Sequence, residues 1–224
     1  MLAHPRNRVA IALLFSLLLS AAVPVLAGDF VVGNLNPPTH ALENYVTGNQ
    51  AFAYLVYPPD QAACTGGGFI PEAVHMWLGF RSEQLPATFA ASAQLLAAVY
   101  DTLTGQWLPG TLLCQGSPQT FTVTTPGLFE LMLPFLPGEC GPQVFNDHYF
   151  LVVRLETPLT ADLPLDSFPE AGVAYQNDGQ GWVDMNGLKR ADSGKIIIWG
   201  DIVCTAAPVG NTTGTWGSIK GLYR

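Results

Sequence analysis

Short apolar runs with a two-residue period, each closed by a proline-, glycine- or asparagine-rich turn, dominate residues 50–203 of this sequence. Successive side chains of an extended strand point to opposite faces, so each run reads as a strand with one face on a core. Residues 50–57 set Phe52, Tyr54 and Val56 against Leu55 and Tyr57, and Pro58-Pro59-Asp60 ends the run. Residues 73–80 align Val74, Met76, Leu78 and Phe80. Residues 128–135 align Phe129, Leu131, Leu133 and Phe135 opposite a face that carries Glu130, which predicts that the acid-free face is the core face. Residues 148–156 align Tyr149, Leu151, Val153 and Leu155, and residues 172–177 and 195–203 complete the set. Turns recur about every 10–20 residues without alternating helical segments. That rhythm predicts an all-β fold, a single antiparallel β-sandwich of the jelly-roll type.

One stretch admits two readings. Residues 87–100 are rich in Ala, Leu and Gln, which favour helix. The segment behind them, Asp101 to Trp107 with Gly105 at its turn, has the form of a hairpin. The hairpin favours a strand over residues 93–101 rather than a helix covering the sandwich.

Charged residues make up 12% of the 224-residue chain and hydrophobic residues 49%. Globular domains carry about 25% charged residues. Seventeen acids against nine bases give a net charge of -8, without the clustered cations that phosphate binding needs, so nucleic acid is excluded as a partner. The length suits one domain, or two small ones.

Residues 1–27 read as a secretory signal peptide. Arg6 and Arg8 form the basic start, Val9 to Val23 the apolar middle, Pro24 breaks the helix, and Val25-Leu26-Ala27 sets cleavage before Gly28. The alternative is an uncleaved anchor, but about 15 apolar residues fall short of the roughly 20 that span a bilayer. Cleavage leaves seven bases against seventeen acids, a net charge of -10. No later stretch is apolar and long enough to span a membrane. The β-sandwich domain is expected over residues 28–204. Residues 205–215 have the small polar composition of a linker. Residues 216–224 hold Trp216, Ile219, Lys220, Leu222, Tyr223 and Arg224, a sorting or anchoring tag if not a frayed tail or a last docked strand.

All four cysteines lie in the exported part, which predicts two disulfides in an oxidising compartment. The pairing favoured is Cys114–Cys140, closing a local loop, with Cys64–Cys204 tying the front of the domain to its last strand. No C-x-x-C pair is present and His40, His75 and His148 are dispersed, which disfavours zinc.

The sequence lacks the motifs of the common catalytic sites. G-x-S-x-G, H-E-x-x-H, the P-loop and G-x-G-x-x-G are missing, apart from Gly217-Ser-Ile-Lys-Gly221 in the tail. His75 lies inside a strand and His148 begins one, so a structural role is favoured for both. Seven glutamates are available to a glycosidase, yet no local pattern singles out the facing pair such an enzyme needs. The expectation is a protein without catalytic residues.

The most distinctive segment is residues 175–187. Asn177, Asp178, Asp184 and Asn186 are hard oxygen donors around a glycine-rich turn, which suits Ca²⁺, although the spacing is not that of an EF-hand. The competing reading is an Asn-Asp-Gly turn whose side chains cap their own backbone. Tyr175, Trp182 and Trp107 are candidates for stacking on a sugar ring, with Trp182 the most exposed by its place beside the turn. Trp77 and Trp199 sit in apolar strands and read as core.

The run Asn177-Asp-Gly-Gln-Gly-Trp182-Val-Asp184, followed by Gly194-Lys-Ile-Ile-Ile-Trp199-Gly-Asp201-Ile-Val-Cys204, resembles a class of secreted bacterial β-sandwich proteins of uncharacterised function. The segments His75-Met-Trp-Leu-Gly-Phe80 and Gln106-Trp-Leu-Pro-Gly-Thr-Leu-Leu-Cys114 and the ending Thr215-Trp-Gly-Ser-Ile-Lys-Gly-Leu-Tyr-Arg224 fit the same class. The resemblance implies export and the sandwich fold, and it assigns no catalytic residue. The role expected is an extracellular binding module for carbohydrate or a cell-envelope component, with a structural or self-assembling surface subunit as the alternative and a jelly-roll hydrolase behind both.

Overall fold

The computed structural model describes residues 29–57, 68–143, 148–186 and 194–204. The signal segment, the tail and Cys64 lie outside them. The strands are β1 (Asp29–Gly33), β2 (His40–Val46), β3 (Ala51–Val56), β4 (Phe69–Phe80), β5 (Ala87–Asp101), β6 (Gln106–Gln115) and β7 (Gln119–Val123). They continue with β8 (Gly127–Pro134), β9 (Tyr149–Leu155), β10 (Ala161–Leu165), β11 (Ala174–Asn177), β12 (Trp182–Asp184) and β13 (Ile198–Cys204). Among the described residues there is no α-helix, only a 3-10 turn at Ser82–Gln84.

Two curled antiparallel sheets pack together, as the alternating runs predict. One has the order β1-β13-β4-β10-β2, with β8 also paired to β4. The other has the order β12-β11-β3-β9-β5-β6, with β7 also paired to β5. The ambiguous segment is strand throughout. β5 runs for 15 residues and pairs with β9, β7 and β6, so ladder bonds and packing on both faces override its helix-forming composition.

The core between the sheets follows the period-two reading. Val74, Met76 and Leu78 of β4, Leu131 and Leu133 of β8 and Ile198 of β13 are fully buried. From the other sheet come Phe52, Leu151, Val153 and Leu95. On β8 the acid-free face is the buried one, while Leu128 and Met132 are exposed. The sheets approach closely at Leu151, whose Cδ1 lies 3.4 Å from where a Cβ on Gly33 would sit and 3.1 Å from one on Gly200.

A buried carboxylate clasps the loops at one end of the sandwich. Asp166, just past β10, is fully buried. It accepts hydrogen bonds from the side-chain amides of Asn34 (3.1 Å) and Asn36 (2.9 Å) and from the backbone N–H groups of Phe168 and Lys195 (both 2.9 Å). Burial pushes its carboxyl up, but these donors together outweigh burial and hold it below the usual carboxylate range.

Candidate functional site

β4 turns Val74, Met76 and Leu78 inward, so His75 and Trp77 point out from the opposite face of the sheet. Register brings partners to them. His75 lies opposite Trp199 of β13 and Met132 of β8, and Trp77 lies opposite Glu130. Asp201 stands two residues beyond Trp199, on the same face. Trp77 and Trp199 are therefore half-buried residues of an outer face, not core residues. This corrects the sequence reading: their phase in the strand, not their apolarity, decides the side.

The geometry of the cluster is specific. The His75 ring stacks on Trp199 with centroids 5.0 Å apart and planes 11° apart, and Trp199 lies 6.0 Å from Trp77. The His75 Nδ1 lies 2.9 Å from Glu130 Oε1, and Nε2 lies 2.9 Å from Asp201 Oδ2. The ring thus braces β8 against β13 across β4. Both nitrogens donate at once only when both carry protons. Two carboxylates face a single imidazole, so acids outnumber bases in the cluster. The ring is 6% exposed, whereas the Glu130 and Asp201 side chains are 44% and 39% exposed. The carboxylates point along opposite edges of the imidazole, so they do not converge on one point. Among the described residues no group of three His, Cys, Asp or Glu side chains is arranged to hold a metal ion.

The three aromatic residues expected to contact a ligand lie on the other sheet. Tyr175 on β11 donates its hydroxyl to the Trp107 carbonyl oxygen on β6 at 2.8 Å. Four strand spacings separate β11 from β6. In a flat sheet that would be about 19 Å. The sheet therefore curls until its flanks meet, which buries Leu55, Leu96, Phe150 and Val152, on the face opposite Leu151 and Val153, as part of one continuous core. Tyr175 packs edge-on against Phe150 there, 5.5 Å away, and is 1% exposed. As a ligand contact Tyr175 is thus corrected to a core residue. Burial first, then the Asp184 carboxylate and Tyr57, push its hydroxyl up to about 12. Trp107 and Trp182 are half-buried, and Trp107 stacks on His148 at 4.2 Å.

The oxygen donors expected to suit calcium flank the β11–β12 turn. Asn177 Oδ1 accepts from the backbone N–H groups of Gly179 and Gly181, and Asp178 Oδ1 accepts from Gln180 N–H. Asp184 accepts from Gly172 and Asn186, and the Asn186 amide donates to the Glu170 carbonyl. Asn177 and Asp178 thus cap backbone of their own turn, as the self-capping reading describes, whereas Asp184 and Asn186 also tie it to residues 170–172 ahead of β11.

Cys114 and Cys140 form the expected local disulfide, with Cα atoms 5.3 Å apart. Cys204 is disulfide-bonded too; Cys64, its expected partner, lies outside the described residues.

No protein-family model and no curated protein matches the chain. Among solved structures it is similar to Cwp84, a surface layer associated protein of Clostridium difficile. A structure of the cysteine protease and lectin-like domains of Cwp84 gives a TM-score of 0.46 at 12% identity, over 71% of this chain and 33% of that one. Clostridial cysteine protease Cwp84 after propeptide cleavage gives 0.52 at 10% identity, over 79% of this chain and 40% of that one. This chain spans less than half the length of either. At such identity the likeness is one of fold, and the second match supports the sandwich architecture.

Proposed function

We propose that this chain is an extracellular, non-catalytic β-sandwich module that binds carbohydrate or another cell-envelope component through the outer face of its six-stranded sheet. The observation that carries this reading is the half-buried Trp77–Trp199 pair on the outer face, beside the carboxylates of Glu130 and Asp201. Aromatic faces take up the apolar side of a sugar ring. Carboxylates accept strong hydrogen bonds from polar groups at its rim. His75 holds both carboxylates in place, so the site is preorganised on rigid strands. The Cys114–Cys140 disulfide suits an oxidising compartment outside the cytosol. The exposed Val31, Leu128 and Met132 on β1 and β8 favour a second reading, a structural subunit that meets its own copies.

The test is retention of the full chain on insoluble polysaccharides and on purified cell envelope, with and without EDTA. Trp77→Ala is expected to weaken retention about tenfold, in keeping with loss of a central aromatic contact. Unchanged retention in Trp77→Ala and Trp199→Ala would remove this face from the reading. Loss of retention with EDTA would instead point to calcium in the turn of Asn177, Asp178, Asp184 and Asn186. Oligomers that grow with concentration and dissociate on Met132→Ser would favour the structural subunit.

A further inference from the structure

Resting on that reading of the face, we infer that its ligand is a polysaccharide bearing free, protonated amino groups, a de-N-acetylated amino-sugar polymer, rather than a neutral glycan. The argument is one of charge at the aromatic pair. Glu130 flanks the tryptophans from β8 and Asp201 flanks them from β13. Each gives one oxygen to His75. Among the described residues, Glu130 Oε2 and Asp201 Oδ1 have no protein donor, and both side chains are well exposed.

The described cations are engaged elsewhere. Arg81 pairs with Glu43, Glu83 and Asp162, Arg154 with Glu156, and Lys195 with Glu170. The face therefore keeps its negative charge, in a chain whose net charge is -8. A neutral glycan would leave that charge unanswered. An ammonium group on a pyranose ring answers it twice, by pairing with a carboxylate and by lying over an indole face. A pyranose holds its ammonium group rigidly against an indole face, whereas a flexible lysine side chain must give up rotamer freedom to reach the same place.

The probes are a β-1,4-linked glucosamine polymer, held at a pH where its amines are protonated, and its fully N-acetylated counterpart. The full chain is expected to be retained by the first and to elute earlier from the second. Glu130→Gln and Asp201→Asn keep an oxygen facing His75 while removing charge. Each is expected to weaken retention on the glucosamine polymer about two- to fivefold, the scale of an exposed ion pair. Glu83→Gln combined with Asp101→Asn removes two charges away from this face and is expected to change retention little.

Four outcomes would overturn the inference. Equal retention on both polymers, still lost in Trp77→Ala, would reject the amino-group requirement and leave the binding face standing. Equal weakening by the distant charge pair would show adhesion by net charge alone. Equal, tryptophan-dependent retention on a lysine polymer would replace the amino sugar with a peptide cation. No retention on either polymer, alongside tryptophan-dependent retention on cell envelope, would reject the amino sugar and keep the face.

Discussion

The hydroxyl of Tyr175 donates to the backbone carbonyl of Trp107 across a sheet in which three other strands lie between them. The bond closes the curl around Phe150 and Val152. Tyr175→Phe keeps the ring and removes the donor, which leaves the Trp107 carbonyl without its partner. A loss of about 1–2 kcal/mol is expected, read by denaturant unfolding. A change within error would show that the curl is held by apolar packing alone.

The same residue sets an alkaline limit. With its hydroxyl raised to about 12 by burial, the folded protein holds a proton that the unfolded chain releases near 10. The contribution is fully present below pH 10 and is lost as pH rises from there to about 12. Stability should fall across that window, and the fall should be shallower in Tyr175→Phe. Parallel curves for the two proteins would contradict this assignment.

Asp166 sets the acid limit with the opposite sign. Its folded carboxyl is held below the ordinary value, so its stabilisation is full above about pH 4 and fades as pH drops through the folded value. Asp166→Ala strands four donors in a buried site and is expected to cost about 3 kcal/mol or more. Asp166→Asn should be less stable than the parent near neutrality, and the gap should narrow as the solution is acidified. A gap that stays constant down to pH 2 would refute the linkage.

The Cys114–Cys140 disulfide closes a loop of sequence separation 26. Chain entropy assigns such a loop about 3–4 kcal/mol. The double change Cys114→Ala with Cys140→Ala is expected to lower stability by that amount while leaving the circular dichroism of the sheet intact. Equal unfolding midpoints would mean that the native turn after β8 is strained by the bond.

The strands that the sequence makes legible are those with a regular apolar period. β4 and β8 keep it because one face of each packs on the core, and β9 is apolar on both faces because both are buried. β2, β7 and β10 are harder to read. β2 places Glu43 and Asn44 in mid-strand, with Asn44 at φ 51°, and β10 contains Pro164, so neither keeps a clean apolar period. The outer-face site was present in the phase of β4: His75 and Trp77 share one parity, and Met76 and Leu78 share the other. What no local pattern records is that Glu130 and Asp201, 71 positions apart in the chain, arrive on either side of His75. Nor does the run Tyr149–Leu155 disclose that its second apolar face is covered by the sheet folding over itself.

That folding over has a consequence for how this molecule meets others. A straight, unpaired backbone edge is a template on which another chain can add a strand and start a polymer. Here β12, at one flank of the curled sheet, is three residues long, and β6, at the other, breaks register with β5 at Leu96. Neither flank offers a long regular ladder to a newcomer. Encounters on this sheet are thereby steered from main chain to side chains, where recognition can be selective and reversible.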